Sequence, residues 1–195
     1  MLKYENRQAD YPIDSLLLSR VSSRAFSQER LSDEELLSLF EAAHWSPSSF
    51  NAQPWRFVYS RRGDDRWSIF FESLIDFNKS WCEQADTLVV VISRQFFEHD
   101  QKINPTASFD AGAAWMGLAI EANSRNLIAH AMSGFDHEKL KKDLNVSDVF
   151  KVEAMIAIGK KGNKDHLSEE LKKKELPSLR KPLQDIIKKG VFNFK

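Results

Sequence analysis

Arg20, Ser22 and Arg24, in the stretch SRVSSRAF, sit two residues apart. In extended backbone, residues i, i+2 and i+4 project to one side, so two guanidinium forks and a hydroxyl converge on one anion; in a helix Ser22 points away. Solvated surface arginines are the alternative reading. A second cluster lies in SPSSFNAQPWRF, residues 46–57. Ser48, Ser49, Asn51 and Gln53 carry groups that donate and accept, and Pro47 and Pro54 limit the conformational freedom lost on binding. Such groups suit the edge of a neutral polar ligand; they are also ordinary turn residues. Arg180 and Lys181 form a further basic pair, either plain surface or carried by a C-terminal arm back to the N-terminal arginines or across to a partner subunit.

Other chemistries lack their residues. No GxGxxG follows a strand and no GxxxxGK[ST] loop occurs, so a stably held dinucleotide or P-loop nucleotide has no cradle. The five histidines show no HExxH spacing and Cys82 has no cysteine partner, so neither a metal site nor an internal disulfide is expected. Gly159-Lys160-Lys161-Gly162 has the GxxG spacing of a nucleic-acid clamp, but it follows a strand pattern and opens a charged tail instead of joining two helices, so it reads as a turn. Lys+Arg and Asp+Glu are 28 each, leaving no global field to attract nucleic acid or an acidic membrane. The N-terminal MLKYENRQAD is too charged for a signal peptide, and the run Leu88 to Ile92 is far short of the roughly 20 residues that span a bilayer. The expectation is a cytoplasmic protein with no nucleic-acid or membrane partner.

These residues need elements to position them. A chain of 195 residues, 42% apolar and with 14 Phe, suffices for one well-cored domain. Ser32-Asp33-Glu34-Glu35 reads as a capping box for a helix that ends near Ser46, before Pro47. Alternation from Trp55 to Ser60 predicts a strand, so residues 46–54 form a helix-to-strand loop. The pattern predicts a helix over 65–78 with Trp67, Phe70, Phe71, Leu74 and Phe77 inward, a doubly buried strand over 87–93, and a helix over 107–124. After an apolar run at 127–132 come a turn at 134–136, a small helix over 137–143, and a strand over 152–159 with Val152, Ala154, Ile156 and Ile158 on one face. Residues 160–176, rich in Lys and Glu, read as a solvated connection or exposed helix. Interleaved strands and helices favour an α+β fold.

Taken together, Arg20-x-Ser22-x-Arg24, Pro47-Ser48-Ser49-x-Asn51-x-Gln53-Pro54-Trp55, Asn78-x-x-Trp81, Phe109-Asp110-x-Gly112-x-Ala114, His130-x-Met132-x-Gly134-Phe135-Asp136 and Arg180-Lys181-Pro182-Leu183 resemble the nitroreductase family over about residues 16–187. The resemblance implies a central, mostly antiparallel sheet flanked by helices, with residues 160–195 as charged connection and C-terminal arm. It also implies a homodimer with noncovalent FMN at the subunit interface, reduced by NAD(P)H and reoxidised in a ping-pong cycle by a nitroaromatic, quinone or activated alkene. Specialised members that cleave flavin, dehalogenate or dehydrogenate peptides are alternatives, as is a flavin- or nucleic-acid-binding module without turnover.

In that picture Arg20 and Ser22 hold the phosphate and ribityl end, while Arg24 lies at the N1 edge of the ring and tunes its electron affinity. Asn78 bonds the pyrimidine edge, Arg180 and Lys181 reach the phosphate, and backbone around Ser133 and Gly134 approaches N5. Pro47, Ser48, Ser49 and Asn51 come from the other subunit, with Gln53 touching ligand or bracing Asn51. No side chain is assigned as nucleophile or general acid. Trp81 stands where some members have a lysine, which leaves less positive charge near the ring, and Phe71, Trp81 and Phe109 are candidates for the substrate face.

Overall fold

The computed structural model describes residues 3–192 and 194. In chain order the elements are strands β1 (Lys3–Tyr4) and β2 (Arg7–Gln8), helices α1 (Ser15–Ser19) and α2 (Asp33–His44), strand β3 (Trp55–Arg61), helices α3 (Trp67–Phe71) and α4 (Asp76–Cys82), strand β4 (Thr87–Arg94), helix α5 (Ala107–Ser124), strand β5 (Leu127–Met132), helix α6 (His137–Asp143), strand β6 (Phe150–Lys160) and helix α7 (Glu169–Lys174). Four strands form one sheet in the order β3-β4-β6-β5, antiparallel at every pairing. The small β1-β2 hairpin stands apart from it.

The core follows from β4, whose apolar side chains leave neither face polar. Leu88, Val90 and Ile92 join Phe70, Leu74, Trp81, Leu140, Met155 and Leu171 in one cluster, so α3, α4, α6 and α7 cover that face. Val89 and Val91 join Leu36, Leu39, Ala114 and Leu118 in the other, beneath α2 and α5. Each fully buried Leu or Ile contributes about 1.5–3 kcal/mol by leaving water. The α2 capping box is present: Glu35 N–H donates to Ser32 Oγ at 3.1 Å and Ser32 N–H to Glu35 Oε2 at 2.7 Å. Helix α5 has the expected span and packs the stripe Ala111, Ala114, Leu118 and Ala122 inward.

Two expectations are corrected. The helix over 65–78 is two short helices, because the backbone between them is used elsewhere: Leu74 bridges Phe135, Ser73 O accepts from Asp136 N–H at 2.8 Å, and Ile75 is extended. Phe77 consequently faces out, 44% exposed, with the Lys174 ammonium 5.8 Å above its ring. The strand over 152–159 lengthens to Phe150–Lys160 and does not keep one alternation: Val91 pairs with Ala154 but Ile92 with Val152, so Glu153 is bulged out of register. Val152 therefore packs on the face opposite Ile156 and Ile158. The charged stretch 160–176 is mostly exposed but pins itself down through buried Leu167 and Leu171.

Candidate active site

Helix α1 ends at Arg20, whose φ of −61° and ψ of 122° are extended, and residues 21–25 do not return to helix. What fixes this segment is the GKKG stretch. Ser27 N–H donates to Lys160 O at 2.9 Å, Gly162 N–H donates to Ala25 O at 2.7 Å, and Phe26 bridges Lys161. A Cβ on Gly162 would lie 2.5 Å from Phe26 O, so only glycine permits the contact. Arg20, Ser22 and Arg24 thus line one cavity of about 490 Å³, together with His130, Lys161, Lys174 and Glu175.

One end of this cavity is strongly cationic. Arg20 Nη1 donates to Ser22 Oγ at 3.2 Å. Burial, then the Arg180 and Arg7 guanidiniums, hold Arg20 below the usual arginine value. Burial and then Arg180 do the same to Arg7. Arginine stays charged despite such shifts. Among the described residues none of the three forms a salt bridge with a carboxylate; Glu5, on the same cavity wall, offsets part of the repulsion at Arg7 without pairing with it.

Sequence reasoning missed Arg7. Its buried guanidinium donates to three carbonyls: Arg20 O at 2.7 Å, Leu18 O at 2.9 Å and Ser178 O at 2.9 Å. It clasps the Arg20 segment to the stretch that follows α7, and Arg180, in that stretch, donates to Ser178 Oγ at 3.1 Å. A single arginine in a polar N-terminal stretch carries no local signal of this. Lys181 is exposed and makes no hydrogen bond or ion pair among the described residues.

Arg24 is held differently. Its guanidinium lies over the Trp81 ring at 5.6 Å, with Nε buried and without a hydrogen-bond partner, and its Nη1 is 3.9 Å from Glu175 Oε1. Glu175 also accepts from Arg24 N–H at 2.8 Å and Ser23 Oγ–H at 2.7 Å. His130 packs on Trp81 at 4.6 Å between ring centres, and burial pushes its imidazole down to about 4, so it is neutral at neutral pH. Trp81 itself is fully buried, which removes it from the substrate-face candidates. Phe109 remains 80% exposed and Phe71, stacked on Trp67, is partly buried. Burial raises the Cys82 thiol well above its usual value, so it is no nucleophile.

Asn78 and Gly134 meet. Asn78 Nδ2 donates to Gly134 O at 2.9 Å, and the same carbonyl accepts from Ile75 N–H at 3.1 Å. A Cβ on Gly134 would lie 2.6 Å from Asn78 Nδ2 and 2.7 Å from Ile75 Cδ1. The close approach that requires glycine here is therefore to α4. The N–H groups of Ser133 and Gly134 donate to no acceptor among the described residues.

The 46–54 loop is a strained and braced structure. Phe50, Asn51 and Gln53 have φ of 53°, 53° and 45°, left-handed values that cost a non-glycine residue about 1 kcal/mol or more each. Ser49 N–H donates to Asp110 Oδ2 at 3.2 Å, Gln53 N–H to Ser48 Oγ at 3.0 Å, and Gln53 Nε2 to Asn51 O at 3.0 Å. Gln53 thus braces Asn51 in this chain. No hydrogen bond, ion pair or ring contact among the described residues joins Pro47, Ser48, Ser49, Asn51 or Gln53 to Arg20, Ser22, Arg24, Asn78 or Arg180. The sequence-predicted residues therefore fall into two separate groups within one chain.

A family model described as Nitroreductase family matches residues 17–77 and 72–160. The chain belongs to the nitroreductase family. Over its whole length this nitroreductase-family chain is similar to a solved structure described as an oxidoreductase containing FMN, with 42% identity, a TM-score of 0.95 and full coverage of both chains. A putative nitroreductase in complex with FMN from Desulfovibrio desulfuricans shares the fold at 24% identity and a TM-score of 0.73, over 93% of this chain and 100% of that one. The oxygen-insensitive NADPH nitroreductase of Helicobacter acinonychis is 43% identical over 79 residues, which are 40% of this chain and 37% of that protein. Among the described residues no helix is long and apolar enough to cross a membrane, and no group of three or more His, Cys, Asp or Glu is placed to hold a metal ion.

Proposed function

We propose that this chain is an FMN-dependent NAD(P)H oxidoreductase that reduces a small oxidised acceptor. The observation that carries the reading is the gathering of Arg7, Arg20 and Arg180 beside Ser22, none of them in a salt bridge with a carboxylate among the described residues. Such a site binds a dianionic phosphate through charge-assisted, forked hydrogen bonds and relieves the mutual repulsion of the three guanidiniums. The donor set fits FMN: Arg20, Ser22 and Arg180 would hold the phosphate, with Lys161, Lys174 and Lys181 adding positive charge around it. Arg24, in the same cavity as Arg20 and Ser22, and the unpaired N–H groups of Ser133 and Gly134 would serve the ring. The 42% identity to an FMN-containing oxidoreductase supports the same cofactor, and the name of the Helicobacter relative supports NADPH as donor.

FMN, when bound, supplies two-electron transfer between nicotinamide and acceptor. The protein's part is positioning and charge. A fixed cation such as Arg24 stabilises negative charge that gathers on a neighbouring ring at no cost of reorganisation. Asn78 holds the Ser133-Gly134 turn in place. His130, neutral and packed between Trp81 and Ser23 O at 3.0 Å, is a wall and not a proton donor.

The whole chain acts as one flavin domain, paired as a homodimer in which residues 47–53 of one subunit complete the site of the other. Two features support this. That loop is held in a costly conformation yet makes no contact with the arginine cluster of its own chain. In addition Leu37, Trp45, Phe50, Phe109 and Met116, on α2, the loop and α5, are 40–85% exposed apolar side chains, more than a monomer leaves in water without use. The donor leaves before a nitroaromatic, quinone or activated alkene binds, which suits a chain with no dinucleotide fingerprint.

Purification and anaerobic titration test the reading. The expected protein is yellow, and its oxidised-flavin absorbance bleaches with NADH or NADPH and returns on adding an acceptor. A colourless preparation that takes up no added FMN would overturn it.

A further inference from the structure

Glu175 lies in the cavity wall at the end of a lysine run, Lys172 to Lys174, where its charge reads as one more solvated residue. The structure gives it a different setting. Its side chain is 8% exposed, and its two oxygens take hydrogen bonds from Ser23 Oγ and Arg24 N–H while Oε1 stands 3.9 Å from the Arg24 guanidinium. Its backbone is held on both sides: Glu175 N–H donates to Lys172 O at 3.3 Å, and three residues on, Ser178 O is gripped by Arg7. Buried charges are normally paired, and this is the one carboxylate paired with Arg24 among the described residues.

We infer that Glu175 is a positioning and charge-balancing residue for Arg24, and that it lowers the preference of the site for reduced over oxidised FMN. The inference rests on the flavin reading above. Arg24 alone would present a full positive charge to the ring. With a carboxylate fixed beside it, the field at the ring is that of a partly cancelled pair, which falls off faster with distance than that of a single charge. Two-electron reduction adds negative charge to the ring that the oxidised form lacks, so the Arg24–Glu175 pair stabilises the reduced form less than Arg24 would by itself. The phosphate is the same in both forms. The ratio of dissociation constants, oxidised over reduced, therefore isolates the ring term from the Arg7, Arg20 and Arg180 cluster. Oxidation and reduction stay with FMN and its two substrates; Glu175 exchanges no proton and forms no bond.

The test is an anaerobic titration of the full-length apo-protein with oxidised FMN and, separately, with FMN reduced by dithionite, on the parent, Glu175→Gln, Glu175→Asp and Ser23→Ala, each first checked by thermal melt. Glu175→Gln keeps the shape but not the charge: its amide oxygen can still accept from Arg24 N–H, while its NH2 replaces the oxygen that accepts from Ser23 and donates to Ser23 Oγ instead. Its ratio is expected to rise about tenfold, which for a two-electron couple is about 30 mV toward easier reduction. Glu175→Asp keeps the charge and Ser23→Ala removes two hydrogen bonds, to Glu175 and from Ala25 N–H, but no charge, so both are expected within about twofold of the parent, a difference too small to reflect loss of a unit charge. An unchanged ratio in Glu175→Gln overturns the inference, as does an equal rise in Ser23→Ala, which would make the effect one of packing. If Glu175→Gln fails to fold, a tenfold rise in the charge-retaining Glu175→Asp overturns it in the same way and an unchanged ratio there supports it. A parent that binds neither form of FMN overturns the flavin reading itself, and that outcome is seen without any variant.

Discussion

Replacing Arg7 by Met removes a clasp that connects three parts of the chain, and its effect can be worked from the contacts. The guanidinium donates to the carbonyls of Arg20, Leu18 and Ser178 at 2.7–2.9 Å from a buried position. A hydrogen bond from a charged donor contributes about 1.5–3 kcal/mol net. The three share one donor group whose burial is itself costly, so the sum is discounted to about 3 kcal/mol. For a chain of this size each kcal/mol moves the melting temperature by about 2–4 °C, so Arg7→Met is expected to melt about 6–12 °C below the parent. The same substitution frees both the Arg20 segment and the C-terminal stretch that carries Arg180, so FMN affinity should fall as well. Arg7→Lys, which keeps charge but cannot fork to three carbonyls, should recover the affinity only in part. Thermal melts by circular dichroism and FMN fluorescence quenching measure the two effects. A melting temperature within about 2 °C of the parent, the scale of an ordinary surface change of about 0.5 kcal/mol, together with unchanged FMN affinity would refute the reasoning.

Three further outcomes follow from single contacts. His130 is held neutral well below the ordinary histidine value of 6.5 by burial, down to about 4. Between those values the unfolded chain binds a proton that the folded chain refuses. Stability therefore rises with pH across this window and is lost as pH falls through it, by about 2 kcal/mol from pH 7 to pH 5. His130→Gln should flatten that slope in urea melts. Gly134→Ala forces a Cβ to 2.6 Å from Asn78 Nδ2 and 2.7 Å from Ile75 Cδ1; overpacking of this kind costs about 1–3 kcal/mol, read as a lower urea midpoint with unchanged slope. Ser32→Ala removes half of the α2 capping box and should cost about 1 kcal/mol in the same assay.

Much of the fold was legible because its signals are local. The Ser32 cap, Pro47, the alternation from Trp55 and the doubly apolar β4 each constrain the residues that carry them, and α2, β3, β4, α5 and α6 lie where their patterns put them. The elements misread are those decided by distant partners. Residues 65–78 have a helical apolar pattern, yet the turn at 133–136 takes the backbone groups of Ser73 to Ile75 and splits the helix. The bulge at Glu153 is invisible in β6 because it is defined against β4.

The site divides in the same way. Spacing left Arg20, Ser22 and Arg24 open between an anion site and solvated surface, the family resemblance made them a unit, and the structure brings them to one cavity. Nothing near Arg7 or Glu175 in sequence announces their roles, since Arg7 acts on residues 11 to 171 positions away and Glu175 on residues about 150 away. Gly134 was legible as a point of close approach, and the packed structure adds Asn78 and Ile75 as the neighbours a Cβ would meet.

The central claim is that the Arg20 cavity holds FMN by its phosphate. Titrating the apo-protein with FMN, and in parallel Arg20→Ala, measures it directly. The account predicts saturable uptake by the parent and an affinity at least about tenfold weaker in Arg20→Ala, the loss of one charge-assisted fork. Equal affinity in both, or no uptake by either, would contradict it.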